Sequence, residues 1–461
     1  MFRGLLLGFL LAFDLAAAVY EVGPGKALGA VNDVPWEALV PGDEVRIHWR
    51  AEPYREKFVL CRQGTAQKPI KVTGVPGHEG RLPVIDGRDA TTRKQLNFWG
   101  EERAVIKIGG ANRPADTTPA HLIISNLEIR SARQPYSFSG RKGRTSYRKN
   151  AASIYIEKGH HITIINCRLR DSGNGIITAP ATTDLTVSGC HIFDNGVAKS
   201  LYEHNAYISA LRVTFEYNRF GPLRSGCLGN NFKDRSAGLR FRCNWVEGGN
   251  RCLDLVDSGD RRISGDRLYA GAAVWGNVFI KTQRASNNQV VHFGGDSGRL
   301  DQYRRGILWF HNNSVISLRQ GNTVLFRNAA PGATIDCMNN IVHTALPDGR
   351  LNVRSGDDKG AFKVMRNWLS RGWRESPGRS SQLAYPANLS TDDPGFVSLP
   401  DGNLRLNQRS VCRSFGMRVK LDGWFGGGYL TSQYEPHQRH ALRPDFSFNG
   451  PHALGAFGAP R

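Results

Sequence analysis

Four short segments of the sequence carry ionisable or phenolic side chains at equivalent positions. Each segment has apolar residues at alternate positions, a pattern typical of a β-strand with one buried face. The outward positions between the apolar residues are occupied by Tyr207, Lys233, Asp254 and His292. Such groups can move protons or neutralise charge, whereas outward rows of strands usually hold Ser, Thr, Asn and Lys. We therefore expect a functional site on this row.

More charged side chains flank the row in the sequence, namely His204, Arg235, Arg251 and Asp257. Arg235 carries a planar, permanently charged guanidinium, which suits recognition of a carboxylate. Tyr207 lies 11 residues before Asn218, and Lys233 lies 11 residues before Asn244. This equal spacing predicts that the Tyr207 and Lys233 side chains stack on neighbouring strands, whatever the lengths of the intervening loops.

A basic segment between residues 130 and 149 is the second candidate binding element. Cations alternate with aromatic residues in it, no acidic residue interrupts it, and the residues best suited to bind an anionic sugar chain are Arg141, Lys142, Arg144 and Tyr147. The whole chain has 61 Lys+Arg against 40 Asp+Glu, a formal net charge of +21, which implies an acidic partner. We expect a long loop beside the site, with a solvated loop of no function as the alternative.

The elements that must position these residues are short strands that recur along the chain. Alternating segments ending at Asn or Gly occur at 121–126, 161–166, 184–189, 211–218, 239–244, 273–277, 307–313, 334–340 and 363–367. From residue 166 onward the repeats are 23 to 36 residues apart, too short for propeller blades. Asn and Gly tolerate a sharp left-handed bend. The pattern predicts a solenoid in which each coil stacks on the last.

With these repeats, the chain resembles the right-handed parallel β-helix proteins of the pectate lyase-like superfamily. The segment Ala-Leu-Val-Pro-Gly-Asp-Glu-Val at 38–45 and the segments 204–207 and 229–235 resemble exported bacterial polysaccharide-degrading members. The resemblance implies an all-β fold, a single-stranded right-handed parallel β-helix with long loops, over residues 19–461. The closing coils should become irregular from about residue 370.

The resemblance also implies a reaction, β-elimination on a uronate-containing polysaccharide. That reaction needs a cation for the C6 carboxylate, a base for the C5 proton and an acid for the leaving oxygen. Arg235 is the expected cation, and Lys233, placed among Arg235 and Arg251, is the expected base. Tyr207 or His204 would be the acid. Arg251, Asp254, Asp257 and His292 are expected to contact substrate.

Three other interpretations of the same residues remain open. A glycoside hydrolase of this fold would use Asp234, Asp254 and Asp257, and a C5 epimerase would share the elimination chemistry. A polysaccharide-binding envelope protein would use the groove without turnover. No cofactor is expected, although Asp254, Asp257 and Asp260 could bind calcium if their carboxylates cluster.

The N-terminus predicts export. A basic start, an apolar run and small residues at 16–18 indicate a signal peptide over residues 1–18, hence a secreted or periplasmic protein without a nucleic-acid partner. No later run is long enough for an integral membrane segment. The eight cysteines match no zinc spacing, and Cys167 with Cys190, in consecutive coils, is the best candidate disulfide. The sequence leaves the oligomeric state open.

Overall fold

The structure is a computed structural model that describes residues 17–284, 286–377, 385, 387–419, 421, 423–425 and 453–457. Nearly all of the predicted signal peptide lies outside the described residues. The chain coils repeatedly around one axis, and each coil contributes a strand to each of three parallel faces. No helix within the described ranges has the length and apolarity needed to cross a membrane.

Face 1 carries the row of candidate site residues. Its strands, each paired in parallel with the next, are Glu56–Leu60, Ala104–Ile108, the first parts of Ala152–Ile165 and Asn174–Ser188, Ala206–Ile208, Phe232–Asp234, Leu253–Leu255, Gln289–Phe293, Gly321–Asn328 and Gly349–Arg354.

Face 2 follows face 1 in each coil. Its strands are Val19–Val22, Glu44–His48, Ile70–Val75, Ala120–Ser125, the second parts of Ala152–Ile165 and Asn174–Ser188, Leu211–Glu216, Ala237–Arg242, Ala272–Trp275, Ile307–His311, Thr334–Met338 and Ala361–Met365.

Face 3 completes the coil and forms a separate ten-stranded sheet. Its strands are Val84–Asp86, Glu128–Arg130, Arg168–Arg170, His191–Phe193, Arg219–Phe220, Trp245–Glu247, Val278–Thr282, Ser314–Leu318, Ile341–Thr344 and Trp368–Leu369.

The remaining elements lie in connections and at the end of the helix. They are the strands Ala90–Thr92, Asn97–Phe98, Ala111–Arg113, Ser137–Gly140, Gly143–Ser146, Phe396–Ser398 and Asn403–Leu406, the helix Arg261–Ser264, and the 3-10 turns Val31–Asp33, His78–Gly80, Glu101–Arg103, Leu300–Gln302, Val411–Arg413 and Gly423–Phe425. The antiparallel pair formed by Phe396–Ser398 and Asn403–Leu406 packs in a cluster with Ile341 and Trp368 of the last coils.

A ladder of buried asparagines fixes the bend between faces 2 and 3. The side chain of Asn244 accepts hydrogen bonds from the amide and side chain of Asn218, at 3.0 Å each, and donates at 3.1 Å to Asn277. The same contacts continue through Asn313 and Asn340 and on to 367 and 388. Because a buried polar group without a partner costs free energy, each Asn requires the next. The stacking of coils predicted from the repeats is confirmed.

Cys167 and Cys190 occupy the ladder position in two earlier coils. Both are buried thiols, so the predicted disulfide between them is not formed. The Cys167 amide donates to Cys190 Sγ at 3.4 Å, and the Cys190 amide donates to Asn218 Oδ1 at 2.9 Å. Burial raises the pKa of Cys190 well above its ordinary value. The two sulfurs therefore continue the stack as packing groups.

Candidate functional site

A second set of buried amides holds the strands of the candidate row in place. Asn195 donates to Asn205, and Asn205 donates to Asn231, both at 3.0 Å. These residues lie at the bend that leads from face 3 into face 1. Tyr207 and Lys233 each follow an asparagine of this set by two residues. The amide contacts therefore fix the height and direction of both functional side chains.

The predicted register of the row is confirmed by the strand pairing. Tyr207 is opposite Lys233, Lys233 is opposite Asp254, and Asp254 is opposite His292. The flanking residues Phe232 and Leu253 are fully buried in the core. The row borders a cleft of about 570 Å³.

Lys233 and Arg235 together bind one carboxylate in this cleft. The Asp296 side chain accepts from Lys233 Nζ at 2.6 Å through Oδ2 and from Arg235 Nη2 at 2.9 Å through Oδ1. Arg235 also donates from Nε to the Tyr207 hydroxyl at 3.1 Å and from Nη1 to the Asp257 carbonyl. Lys233 was expected to lie among cations, but its ammonium instead lies between two carboxylates.

The second of these carboxylates belongs to Asp254, which is completely buried. It accepts from Lys233 and the Asn230 side chain at 2.7 Å each, and from His292 Nδ1 at 2.8 Å. Burial alone would raise the pKa of Asp254. The His292 hydrogen bond and the charges of Lys233 and Arg251 outweigh this effect, so the pKa of Asp254 lies below its ordinary value. Asp254 is therefore an ionised anchor for the cations of the cleft.

His292 is placed behind Asp254, with only 3% of its surface exposed. The expectation that it contacts substrate is wrong because Asp254 and the core enclose its ring. Burial lowers the pKa of His292 against the opposing effect of Asp254. It is a positioning residue for Asp254. Arg251 does line the cleft, with Nε donating to Gln289 at 2.8 Å.

His204 lines the cleft wall with 2% of its surface exposed. Burial and then the charge of Lys233 lower the pKa of His204 to about 3, so the ring is neutral near pH 7. Its Nδ1 lies 3.0 Å from the amide nitrogen and 3.2 Å from the carbonyl oxygen of Asn230, so the backbone of Asn230 contacts this nitrogen in either neutral tautomer. His204 can donate a hydrogen bond but is not a charged acid. Its ring meets that of Tyr207 edge-on at 5.6 Å.

Of the three aspartates expected to serve a hydrolase, only Asp254 lines the cleft. Asp234 is fully buried and paired with Arg304, equally buried, at 2.7 Å. Asp257 is also buried, and its Oδ1 accepts from the Asp296 amide at 2.7 Å. It holds the segment that carries Asp296 and does not line the cleft.

The three aspartates suggested for calcium do not fit that ion. Asp254 is surrounded by cations and amide donors, and Asp257 accepts from backbone amides. Asp260 accepts from the Arg262 amide at 2.9 Å and caps the helix Arg261–Ser264. Among the described residues these carboxylates form no common ligand cluster.

The basic segment forms the hairpin of Ser137–Gly140 and Gly143–Ser146. Arg141 and Lys142 are exposed at its tip, and Arg144 pairs with Asp89 at 2.8 Å. Tyr147 is buried and donates to the Gly87 carbonyl at 2.8 Å, so the expectation that it stacks on a sugar is wrong.

The charged lining residues that sequence reasoning did not select are Lys149, Glu203 and Asp296. Lys149, at the end of the basic segment, reaches the cleft. Asp296 also lines it, and lies in a Gly-Gly-Asp-Ser-Gly turn directly after the strand of His292. An acidic residue between glycines, directly after a strand of the site, is the sequence feature from which Asp296 could have been predicted to line the cleft.

Comparison with known proteins concerns mainly the fold. A family model described as a right-handed β-helix region matches residues 85–268. A comparison with curated proteins gives no match. Among solved structures, an alginate lyase from Paenibacillus sp. str. FPU-7 is 14% identical with a TM-score of 0.46, and the match covers 70% of this chain and 91% of that one.

Two further solved structures are similar at the same level. A GH136 lacto-N-biosidase from Eubacterium ramulus is 14% identical with a TM-score of 0.44, covering 76% of this chain and 67% of that one. A PL6 family polysaccharide lyase from Pseudopedobacter saltans is 11% identical with a TM-score of 0.44, covering 82% and 95%. The family model and the parallel pairing of the three faces agree, and the chain is a right-handed parallel β-helix.

Proposed function

We propose that the protein is a lyase that cleaves a uronate-containing polysaccharide by β-elimination in the face 1 cleft. The observation that carries this proposal is the binding of both oxygens of one carboxylate by Lys233 and Arg235. A uronate C6 carboxylate has the same charge and the same pair of oxygens as the Asp296 side chain. The signal peptide predicted for residues 1–18 fits a substrate outside the cytoplasm.

In this proposal, the C6 carboxylate replaces Asp296 between Lys233 and Arg235, and the two cations neutralise its charge. Neutralisation stabilises the enolate-like charge that develops when the C5 proton is removed. The electron pair of the C5–H bond then forms the C4–C5 double bond, and the bond from C4 to the glycosidic oxygen breaks. The leaving oxygen takes up a proton, so atoms and charge balance.

We assign the proton transfers to Tyr207 and not to Lys233. The Lys233 ammonium is held by the buried Asp254, and a protonated amine has no lone pair with which to take the C5 proton. His204 is a poor base as well, because burial and the charge of Lys233 lower its pKa to about 3. Arg235 Nε, 3.1 Å from the Tyr207 hydroxyl, stabilises negative charge on that oxygen. As a phenolate Tyr207 takes the C5 proton, and as a phenol it returns the proton to the leaving oxygen.

The test measures the unsaturated product in the ultraviolet on alginate, pectate, glucuronan and glycosaminoglycans. Wild-type protein should produce it on at least one of them, and Tyr207→Phe should lower the rate by about 10²- to 10⁴-fold while oligosaccharide binding persists. Tyr202→Phe is the matched control, because Tyr202 lines the same cleft but is 77% exposed.

Three results would contradict the proposal. New reducing ends without ultraviolet absorbance would indicate hydrolysis, and saturable binding without turnover would indicate a binding protein. Full activity in Tyr207→Phe would remove Tyr207 as the proton carrier.

A further inference from the structure

Three histidines converge on one corner of the β-helix, outside the cleft. One ring nitrogen from each of His121, His160 and His161 lies within 4.8 Å of the other two. They belong to face 2 strands of successive coils, and the pairing of Ala120 with His160 and of Leu122 with Ile162 places His121 opposite His161. The cleft residues lie on face 1 and on the bend that precedes it, whereas the histidines follow face 1.

The backbone holds these rings in a fixed arrangement. His121 and His161 both adopt left-handed backbone conformations, with φ of 49° and 54°, and Asp184 continues the column in the next coil with φ of 52°. A left-handed residue turns the chain sharply, and repeating it in stacked coils places the side chains one above another. The rings of His121 and His161 stack with their centres 4.6 Å apart.

The chemistry of the cluster is that of a metal site. Imidazole nitrogen is a preferred ligand of zinc, nickel and copper. The Nδ1 atoms of His160 and His161 face each other at 2.8 Å. Two ligand nitrogens on a tetrahedral zinc ion, with Zn–N near 2.0–2.1 Å, would lie about 3.3 Å apart. A small outward movement of the exposed His161 ring would therefore admit the ion.

The surroundings suit a cation with an open coordination position. His161 is exposed, so water can complete the ligand set. The nearest anion of the column, Asp184, is itself engaged by Arg212 at 2.7 Å and 3.0 Å, so it balances charge near the site without having to be a ligand.

We propose that His121, His160 and His161 form a binding site for one divalent transition metal ion, with zinc as the reference ion. The site would join two stacked face 2 strands, Ala120–Ser125 and the second part of Ala152–Ile165. Bound metal should therefore stabilise the fold, because it binds only the folded arrangement of the three rings. The site is independent of the reaction proposed for the cleft.

The experiment uses the chain without an affinity tag, after treatment with a chelator. Zinc titrated into wild-type protein by calorimetry should bind with a stoichiometry of one, and cobalt should give the visible absorption of a low-coordinate site. Zinc should also raise the unfolding temperature. The variant carrying His121→Asn and His161→Asn retains side chains that tolerate the left-handed backbone, and should lose at least about tenfold in zinc affinity and the thermal shift.

A matched control is His78→Asn, because His78 is a solitary histidine with 87% of its side chain exposed. It should bind zinc as the wild type does. Absence of saturable zinc binding at micromolar concentrations in the wild type would overturn the proposal. Undiminished binding in the double variant, shown by circular dichroism to be folded, would overturn it as well.

Discussion

Replacing Asp296 by Asn tests whether its carboxylate occupies the place of the substrate carboxylate. Asp296 contacts Lys233 and Arg235 through its two oxygens, and 30% of its side chain is exposed. Burial alone would raise the pKa of Asp296, but the charges of Lys233 and Arg235 outweigh this effect. The pKa of Asp296 therefore lies below its ordinary value, and the side chain is ionised at neutral pH. A uronate must therefore displace one anion before it can bind the same two cations.

The size of the effect follows from the exposure of the pair. Ion pairs near the surface contribute about 0.2–1 kcal/mol each, and Asp296 makes two of them. Taking about 1 kcal/mol for the pair, their removal should tighten substrate binding about fivefold, since 1.4 kcal/mol corresponds to a factor of ten. Asn has nearly the same shape and no charge, so its competition for the cations is weak.

The assay is steady-state formation of unsaturated product as a function of substrate concentration. Asp296→Asn should lower KM about fivefold with kcat within a factor of two or so of wild type. Asp301→Asn, an exposed acid in the same connection, is the charge-matched control and should leave KM unchanged. If Asp296→Asn instead raises KM and lowers kcat, Asp296 positions the two cations, and the idea that it competes with substrate is refuted.

Two predictions concern stability. The pKa of His204 falls from 6.5 to about 3 on folding, so below pH 6.5 the unfolded chain binds a proton that the folded chain does not, and stability is lost as the pH falls. From pH 7 to pH 5 the free energy of unfolding should decrease by about 2 kcal/mol through this group. Denaturant unfolding should show that this decrease is absent in His204→Asn, and an equal pH dependence in both proteins would contradict the prediction. Asn277→Ala should lower the free energy of unfolding by about 2–4 kcal/mol, because Asn244 loses its hydrogen-bond acceptor in the buried ladder. Asn322 is exposed on a strand, so the control variant Asn322→Ala should change the free energy of unfolding by less than about 0.5 kcal/mol. Similar losses in the two variants would contradict a stabilising role of the ladder.

The fold and the register of the row were predictable because both follow from local periodicity. Alternation sets which side chains point inward, and an Asn at a constant offset from Tyr207 and Lys233 sets their alignment whatever the loop length. The hydrogen bonding at the bend could be predicted from the residue type alone, since a buried asparagine side chain can both donate to and accept from its equivalent in the next coil. The same reasoning placed Cys167 and Cys190 in stacked coils.

The partners of the site residues could not be predicted in this way. Asp296 reaches Lys233 from 63 residues further along the chain, through a connection whose path is not periodic. Tyr147 is buried and donates a hydrogen bond to Gly87, which lies 60 residues earlier in the chain. His292 is on the predicted row but is buried, with its Nδ1 bonded to Asp254. A strand pattern specifies the direction of a side chain, whereas loops decide what lies in front of it.

This difference between strand and loop also bears on how the cleft would operate. Lys233 sits on the strand Phe232–Asp234 and Arg235 directly follows it; Lys233 is anchored by the buried Asp254, and Arg235 by the Asp257 carbonyl. The anion that occupies them, Asp296, sits on a glycine-flanked connection and is the more exposed partner. Electrostatic stabilisation of a transition state requires charges that need not reorganise during the reaction. An arrangement with fixed cations and a displaceable anion meets that requirement, because substrate binding would exchange one carboxylate for another and leave the cations in place.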